Sequence, residues 1–266
     1  MTIPSPSPGS VALVTGASSG IGRALARELA ARGHDVVLVS RTRARLEELA
    51  AELGAKGVTA HVVPCDLADA EARDRLAAEV EALGVQVEIL VNSAGVGVYR
   101  AFADADRADE IGQVRLDVEA VVDLMHRVLP PMVTRGRGAV INLASSAGFQ
   151  PLPFNAGYAA AKSHTLLLSE AVHSELRGTG VTVTAVCPGP VPTEFQERND
   201  VGFVSRMPKF TQASAERVAR DALRAADRGR RSVVPGNLAV RLAFAPNRYV
   251  PNAIRIAAAR RIMAVD

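Results

Sequence analysis

"VALVTGASSGIG", residues 11–22, runs from a β-branched stretch through a glycine-rich turn into an alanine- and arginine-rich helix, and its reading decides the fold. The run 11–15 has the composition of a buried strand, while "GRALARELAARG" repeats apolar residues at the spacing of one helix face. Between them Gly16, Gly20 and Gly22 stand in a G-x-x-x-G-x-G pattern. Small residues at this point let a pyrophosphate approach the backbone N–H groups at the positive end of the helix. Gly16, Ser18, Ser19, Gly20 and Ile21 are therefore candidate phosphate-binding residues. The pattern departs from the G-x-G-x-x-G of dinucleotide-binding turns, and glycines alone also serve tight strand-to-helix packing. Its place in the first βα unit favours the phosphate-binding role.

Outward from this unit the same alternation continues. Strand-like runs stand at 11–15, 35–40, 58–64, 88–92, 138–144, 181–187 and 231–235, separated by helical stretches such as "RARLEELAAEL" and "AEARDRLAAEVEAL". Two longer helices are predicted over about 107–135 and 156–178, the first stopped by the paired prolines of "LPPM". Such alternation is the signature of repeated βαβ units, an α/β class with a seven-stranded, mostly parallel sheet. Residues 1–9 read as a flexible Pro/Ser-rich tail and 10–266 as a single domain. The stretch 190–212 has weak periodicity and reads as a substrate loop or lid. A basic helical segment over about 238–263 carries Arg241, Arg248, Arg255, Arg260 and Arg261 among apolar runs. It can cover the core with its arginines outward, which is the favoured reading, pair with another subunit, or lie on a membrane surface.

Composition narrows the function classes. The chain has 31 basic and 28 acidic residues, a net charge of +3, and the two signs are interleaved, so no nucleic-acid footprint is expected. Cys65 and Cys187 lie far apart, and neither a disulfide framework nor a targeting segment is expected, which fits a reduced cytoplasmic setting. No run reaches the roughly 18 apolar residues of a membrane span. The five histidines show no metal-ligand spacing, so no metal is expected.

"NAGYAAAKSH", residues 155–164, sets Lys162 one helical turn after Tyr158. Residues four apart share a face, so the ammonium can favour the phenolate and make Tyr158 a usable proton donor and acceptor. "TGASSGIG", "NSAG" at 92–95, Tyr158-A-A-A-Lys162 and "CPGPVPTEF" at 187–195, in this order, closely resemble the short-chain dehydrogenase/reductase family over nearly the whole chain.

The resemblance implies a three-layer, doubly wound Rossmann fold that moves hydride between a nicotinamide cofactor and a carbonyl or alcohol, commonly as a homodimer or homotetramer. It places a serine thirteen positions before the tyrosine, and 158 minus 13 is Ser145. Ser145 would bond the substrate oxygen, Tyr158 would carry the proton, and Lys162 would hold the nicotinamide ribose and lower the tyrosine pKa from about 10. Where NAD-preferring relatives carry an acidic residue after the second strand, this chain has Ser40 followed by Arg41, which points to NADP over NAD. By the same resemblance Asp66 and Leu67 flank the adenine, Asn92, Ala94 and Gly95 line the cofactor, and Pro188, Gly189, Val191 and Thr193 close over its nicotinamide end.

One departure stands out: Asp117 occupies the helix register where the family has an asparagine whose carbonyl holds a relay water. A carboxylate there would oppose phenolate formation, or else point away toward a basic neighbour such as Arg115. The overall expectation is an NADP(H)-dependent oxidoreductase with a small, hydrophobic carbonyl or alcohol substrate. The alternative is a catalytically weak nucleotide-binding regulatory or scaffold protein of the same fold, for which Asp117 is the support.

Overall fold

In the computed structural model, which describes residues 3–195, 212–244 and 249–263, the strand-like runs pair into one parallel sheet. The strands are β1 (Ser10–Thr15), β2 (Asp35–Ser40), β3 (Ala60–Pro64), β4 (Gln86–Asn92), β5 (Gly138–Leu143), β6 (Val181–Val186) and β7 (Ser232–Val233). Their order across the sheet is β3-β2-β1-β4-β5-β6-β7, all parallel. The chain therefore winds outward twice from the centre, and the direction reverses between β1 and β4. Each strand agrees with its sequence reading to within two or three residues.

The strands are apolar on both faces because both are covered. Ala12 and Val14 of β1 face one core with Leu25 and Leu29 of α1 (Gly20–Ala31), Leu46, Leu49 and Leu53 of α2 (Arg43–Gly54), and Val218, Ala222 and Leu223 of the helix that precedes β7. Val11 and Leu13 face the other core with Leu76 of α3 (Ala70–Ala82) and with Leu124 and Met132 of α5 (Ala120–Arg135). The result is the three-layer, doubly wound arrangement. Further helices are α4 (Arg107–Val114), α6 (Ala156–Glu175), α7 (Ala215–Asp227), α8 (Leu238–Phe244) and α9 (Asn252–Met263).

Three expectations need correction. The helical stretch 107–135 does not stop at the prolines: Pro130 and Pro131 lie inside α5, which ends at Gly136 in the left-handed conformation. Both prolines and the residues one turn before them, His126 and Arg127, are exposed, so the carbonyls that lose an N–H partner lie on the solvent side, while buried Val128 and Met132 carry the helix onward. The opening segment is no free tail over its described residues: Ile3 joins the core, the Arg137 guanidinium donates to the Ser5 carbonyl, and Gln86 N donates to Gly9 O at 2.8 Å. The C-terminal helix α9 turns Ile254 outward, 61% exposed, and Arg255 inward onto the Phe149 carbonyl. Its arginine is drawn in by a carbonyl, and apolar periodicity alone does not reveal that partner.

A buried arginine ties the two helices behind β4 to the loop that follows β3. Arg73 of α3 is 3% exposed and pairs with Glu119 and, at 2.6 Å, with Asp123. The same guanidinium donates to the Leu67 carbonyl at 2.8 Å. Arg73→Met removes all three bonds and should lower unfolding stability in urea by about 2 kcal/mol. Arg75→Ala, whose parent side chain is largely exposed on the same helix, should leave the urea midpoint unchanged.

Candidate active site

The reversal between β1 and β4 leaves a crevice outside the carboxyl ends of the strands, the place where doubly wound sheets bind ligands. The Thr15 hydroxyl closes its floor, donating to Val91 O at 3.2 Å and accepting from Ser93 N at 2.9 Å and Ala94 N at 3.1 Å. Above it the glycine turn enters α1. A Cβ on Gly22 would lie 2.3 Å from Gly16 O, so only glycine permits a turn this tight. Ser19 is the N-cap of α1 but makes no side-chain capping bond, which leaves the first helical N–H groups for an anion.

Ser18 and Ile21 flank this turn, Ile21 packing partly on the core. Thr193 packs against Gly20, and Pro188 accepts from Ser146 N at 2.9 Å. With Gly189 between them and buried Val191 leading to Thr193, the segment after β6 reaches the crevice from its opposite side. Most of the predicted substrate loop 190–212 falls outside the described residues.

At the end of β2, Ser40 is short and accepts from Thr42 N at 3.3 Å, and the following Arg41 is exposed. Among the described residues Arg41 makes no ion pair, whereas Arg45 is engaged by Glu194 at 2.5 Å. Asp66 is exposed and accepts from Ala68 N at 3.1 Å, and Leu67 is buried beside it. The Asn92 side chain is turned into the sheet, donating to Asn142 Oδ1 at 2.9 Å, and β4 leads from it directly to Ala94 and Gly95. Asn142 in turn donates to Ser169 of α6 at 2.9 Å, clamping β4, β5 and α6 together.

Ser145, Tyr158 and Lys162 converge at the end of β5. Ser145 caps a 3₁₀ turn (Ser146–Phe149), accepting from Ala147 N at 3.1 Å, and its hydroxyl lies beside Tyr158, where it acts to lower the phenol's pKa. Ser146, the turn's first residue, is buried beside Ser145. Lys162 Nζ is 5.6 Å from the Tyr158 ring centroid and donates to Leu143 O at 3.3 Å. Asp117 is brought in as well: its Oδ2 lies 3.5 Å from Lys162 Nζ. It sits in a π-helical turn (Arg115–Glu119) between α4 and α5, and such one-residue insertions re-aim side chains at functional sites. Arg115 is exposed, so the carboxylate does not point toward it.

Burial is the largest influence on Tyr158 and raises its pKa above the ordinary value; Lys162, as its place one helical turn away implied, and the Ser145 hydroxyl act to lower it, and Asp117 adds to the rise. Over the ring lies Phe195, its centroid 5.7 Å away. Sequence reasoning missed Thr15, Asn142 and Phe195. Thr15, the last residue of β1 just before Gly16, carried the only local signal, since a hydroxyl at a strand end seeks a partner.

A family model described as short chain dehydrogenase matches residues 10–201. An uncharacterized oxidoreductase of Staphylococcus epidermidis is 37% identical over 194 residues, 72% of this chain and 82% of the relative. Sulfoacetaldehyde reductase 2 of Chromohalobacter salexigens is 37% identical over 187 residues, 70% of this chain and 74% of that protein. Among solved structures, a short-chain dehydrogenase from Sphingobium yanoikuyae in complex with NADPH superposes with a TM-score of 0.79 at 29% identity, covering 97% of this chain and 96% of that one.

The spacing between Ser145 and Lys162 depends on Gly148, where a Cβ would lie 2.7 Å from both the carbonyl carbon and oxygen of Lys162. Gly148→Ala should therefore cost about 1–3 kcal/mol in urea unfolding. At Gly112, a helical glycine with nothing within 4 Å of an added Cβ, the same change should be neutral or stabilising. Equal effects at the two positions would show that the 3₁₀ turn is free to move away from α6.

Proposed function

The chain belongs to the short-chain dehydrogenase/reductase family, and from that premise we propose that it is an NADP(H)-dependent oxidoreductase acting on a carbonyl or secondary alcohol. The observation that carries this reading is the convergence of Ser145, Tyr158 and Lys162 on one point beside the crevice.

The donor set of the crevice fits a dinucleotide. Gly16, Ser18, Ser19, Gly20 and Ile21 would hold the pyrophosphate on the uncapped N–H groups of α1. Arg41, with no acidic residue at Ser40, would take a 2′-phosphate, and the NADPH complex of the Sphingobium relative supports that preference. Asp66 and Leu67 would flank the adenine, and the Asn92 backbone, Ala94 and Gly95 would line the middle. Pro188, Gly189, Val191 and Thr193 would close the nicotinamide end, and Lys162 would reach its ribose. When bound, the nicotinamide supplies or accepts hydride.

Tyr158 gives its proton to the substrate oxygen in reduction and takes one in oxidation, while Ser145 holds that oxygen by a second hydrogen bond. The space over Tyr158 is bounded by Gly97 and Phe195, which favours an apolar group beside the reacting carbon. Exposed Ile111 and Val114 of α4 and Leu167 of α6 support assembly as a homodimer or homotetramer.

Tyr158→Phe should lower turnover by about a hundredfold to ten-thousandfold while NADPH affinity, followed by nicotinamide fluorescence, stays within about twofold of wild type. Near-normal turnover would remove Tyr158 from the proton transfer. NADPH should bind more tightly than NADH, and Arg41→Ala should narrow that difference by about tenfold. Equal affinities in the wild type would exclude Arg41 from the site. NADPH binding without oxidation across aldehydes, ketones and diketones would favour a regulatory or scaffold protein.

A further inference from the structure

Asp117 is 0% exposed, in the middle of the π-helical turn that α4 and α5 flank. Its Oδ1 accepts from Val96 N at 3.1 Å, and its backbone carbonyl accepts from Thr165 Oγ1 at 3.3 Å. Its Oδ2 faces Lys162 Nζ at 3.5 Å, an ion-pair contact looser than a hydrogen bond of ideal length. Gly95 makes room for the pair, since a Cβ there would lie 3.0 Å from Asp117 Oδ1 and 3.1 Å from Lys162 Nζ. The ammonium is thus shared between Tyr158 on one side and a buried carboxylate on the other.

Resting on the reading of Tyr158 as the proton carrier, we propose that Asp117 is a positioning residue that holds the charge of Lys162 off Tyr158. It thereby keeps the tyrosine protonated and ready to deliver a proton to a carbonyl near neutral pH, and raises the pH at which it can act as the base in alcohol oxidation. In reduction the Tyr158 O–H bond breaks, its electron pair stays on the phenolic oxygen, and the proton forms the new O–H bond of the alcohol. Solvent restores the proton afterward. The reverse reaction must begin from the phenolate, and that is the form Asp117 opposes.

The charges around the pair are few. Those acting on Tyr158 are Lys162, which favours the phenolate, and Asp117, which opposes it. On Asp117 itself burial raises the carboxyl pKa, while Lys162 and Val96 N hold it down. From α4, Glu110 packs against Gly157 beside the tyrosine, and burial, with Asp109 nearby, raises its pKa. Arg115 and Glu119 share the π-helical turn but are exposed, and Glu119 is given to Arg73. On α6, His164 has a buried Nδ1. The 3₁₀ turn contributes the Ser145 hydroxyl, and the segment after β4 contributes backbone N–H groups.

Asp117→Asn tests the charge alone, because the amide oxygen can still accept from Val96 N. The chain has three tyrosines and no tryptophan, so tyrosinate absorbance can be followed in the cofactor-free protein and the Tyr158→Phe curve subtracted. In Asp117→Asn, Tyr158 should ionise at a pH lower by about one. The pH at which alcohol oxidation reaches half its plateau and the pH at which carbonyl reduction falls to half should both move down by about the same amount, while the ratio of the two rates near neutral pH stays fixed by the equilibrium of the reaction. Asp117→Ser removes the charge with a different shape and should move the titration the same way even if its melting temperature falls. An unmoved Tyr158 titration in both variants overturns the proposal. So does a loss of rate in both directions with neither pH profile displaced, which is what a merely structural change produces. Absence of turnover by the wild type counts against the oxidoreductase reading instead, and the cofactor-free titration then still decides the role of Asp117.

Discussion

A lysine ammonium that is 5% exposed must be compensated where it lies, and the arrangement of the site follows from how Lys162 is satisfied. It has the Leu143 carbonyl at the end of β5, the Asp117 carboxylate from the π-helical turn and the face of Tyr158 one helical turn away. Each partner comes from a different element, so holding the charge also fixes α6 against β5 and against the α4–α5 pair. The 3₁₀ turn carrying Ser145 can meet α6 closely because Gly148 has no side chain to strike the Lys162 backbone. The hydroxyl of Ser145 then lies within reach of Tyr158. A phenol hydroxyl is set at the crevice edge as a consequence of burying a cation.

The sheet supplies the other half of the constraint. Reversal of winding between β1 and β4 opens the crevice, and the Thr15 hydroxyl pins both strand ends at its floor. On one side the uncapped N-terminus of α1 offers backbone donors to an anion. On the other side Tyr158 and Lys162 face the segment after β4. A dinucleotide laid between them would have its phosphates at the helix and its reactive ring beside the tyrosine, which is why the fold and the chemistry of this family go together.

Legibility in the sequence followed the range of the interactions. Strands β1 to β6 and helices α1 to α3 were readable because their apolar periodicity is local, and the glycine turn because its constraint acts within seven residues. Ser145 was found through the family's spacing, since nothing local separates its hydroxyl from that of Ser146 beside it. Asp117 could be named only by counting along a helix, and its contact with Lys162 depends on a π-helical insertion that leaves no apolar signature. Pro130 and Pro131 misled because the cost of a helical proline depends on whether the freed carbonyls meet water, which is a property of the fold. Arg255 misled for the converse reason: its partner is a carbonyl 106 residues away in sequence. The Asn92–Asn142–Ser169 chain crosses three elements and was likewise invisible.

The central claim is that this crevice carries hydride from NADPH to a carbonyl carbon while Tyr158 supplies the proton. Mass spectrometry of the alcohols formed when NADPH deuterated at the transferring position is incubated with the protein and a panel of aldehydes and ketones tests it most directly. The account predicts one deuterium on the former carbonyl carbon of at least one product, with the labelled product falling to background in Tyr158→Phe. NADPH that binds in the crevice yet leaves no deuterium in any product, or label that persists undiminished in Tyr158→Phe, would contradict it.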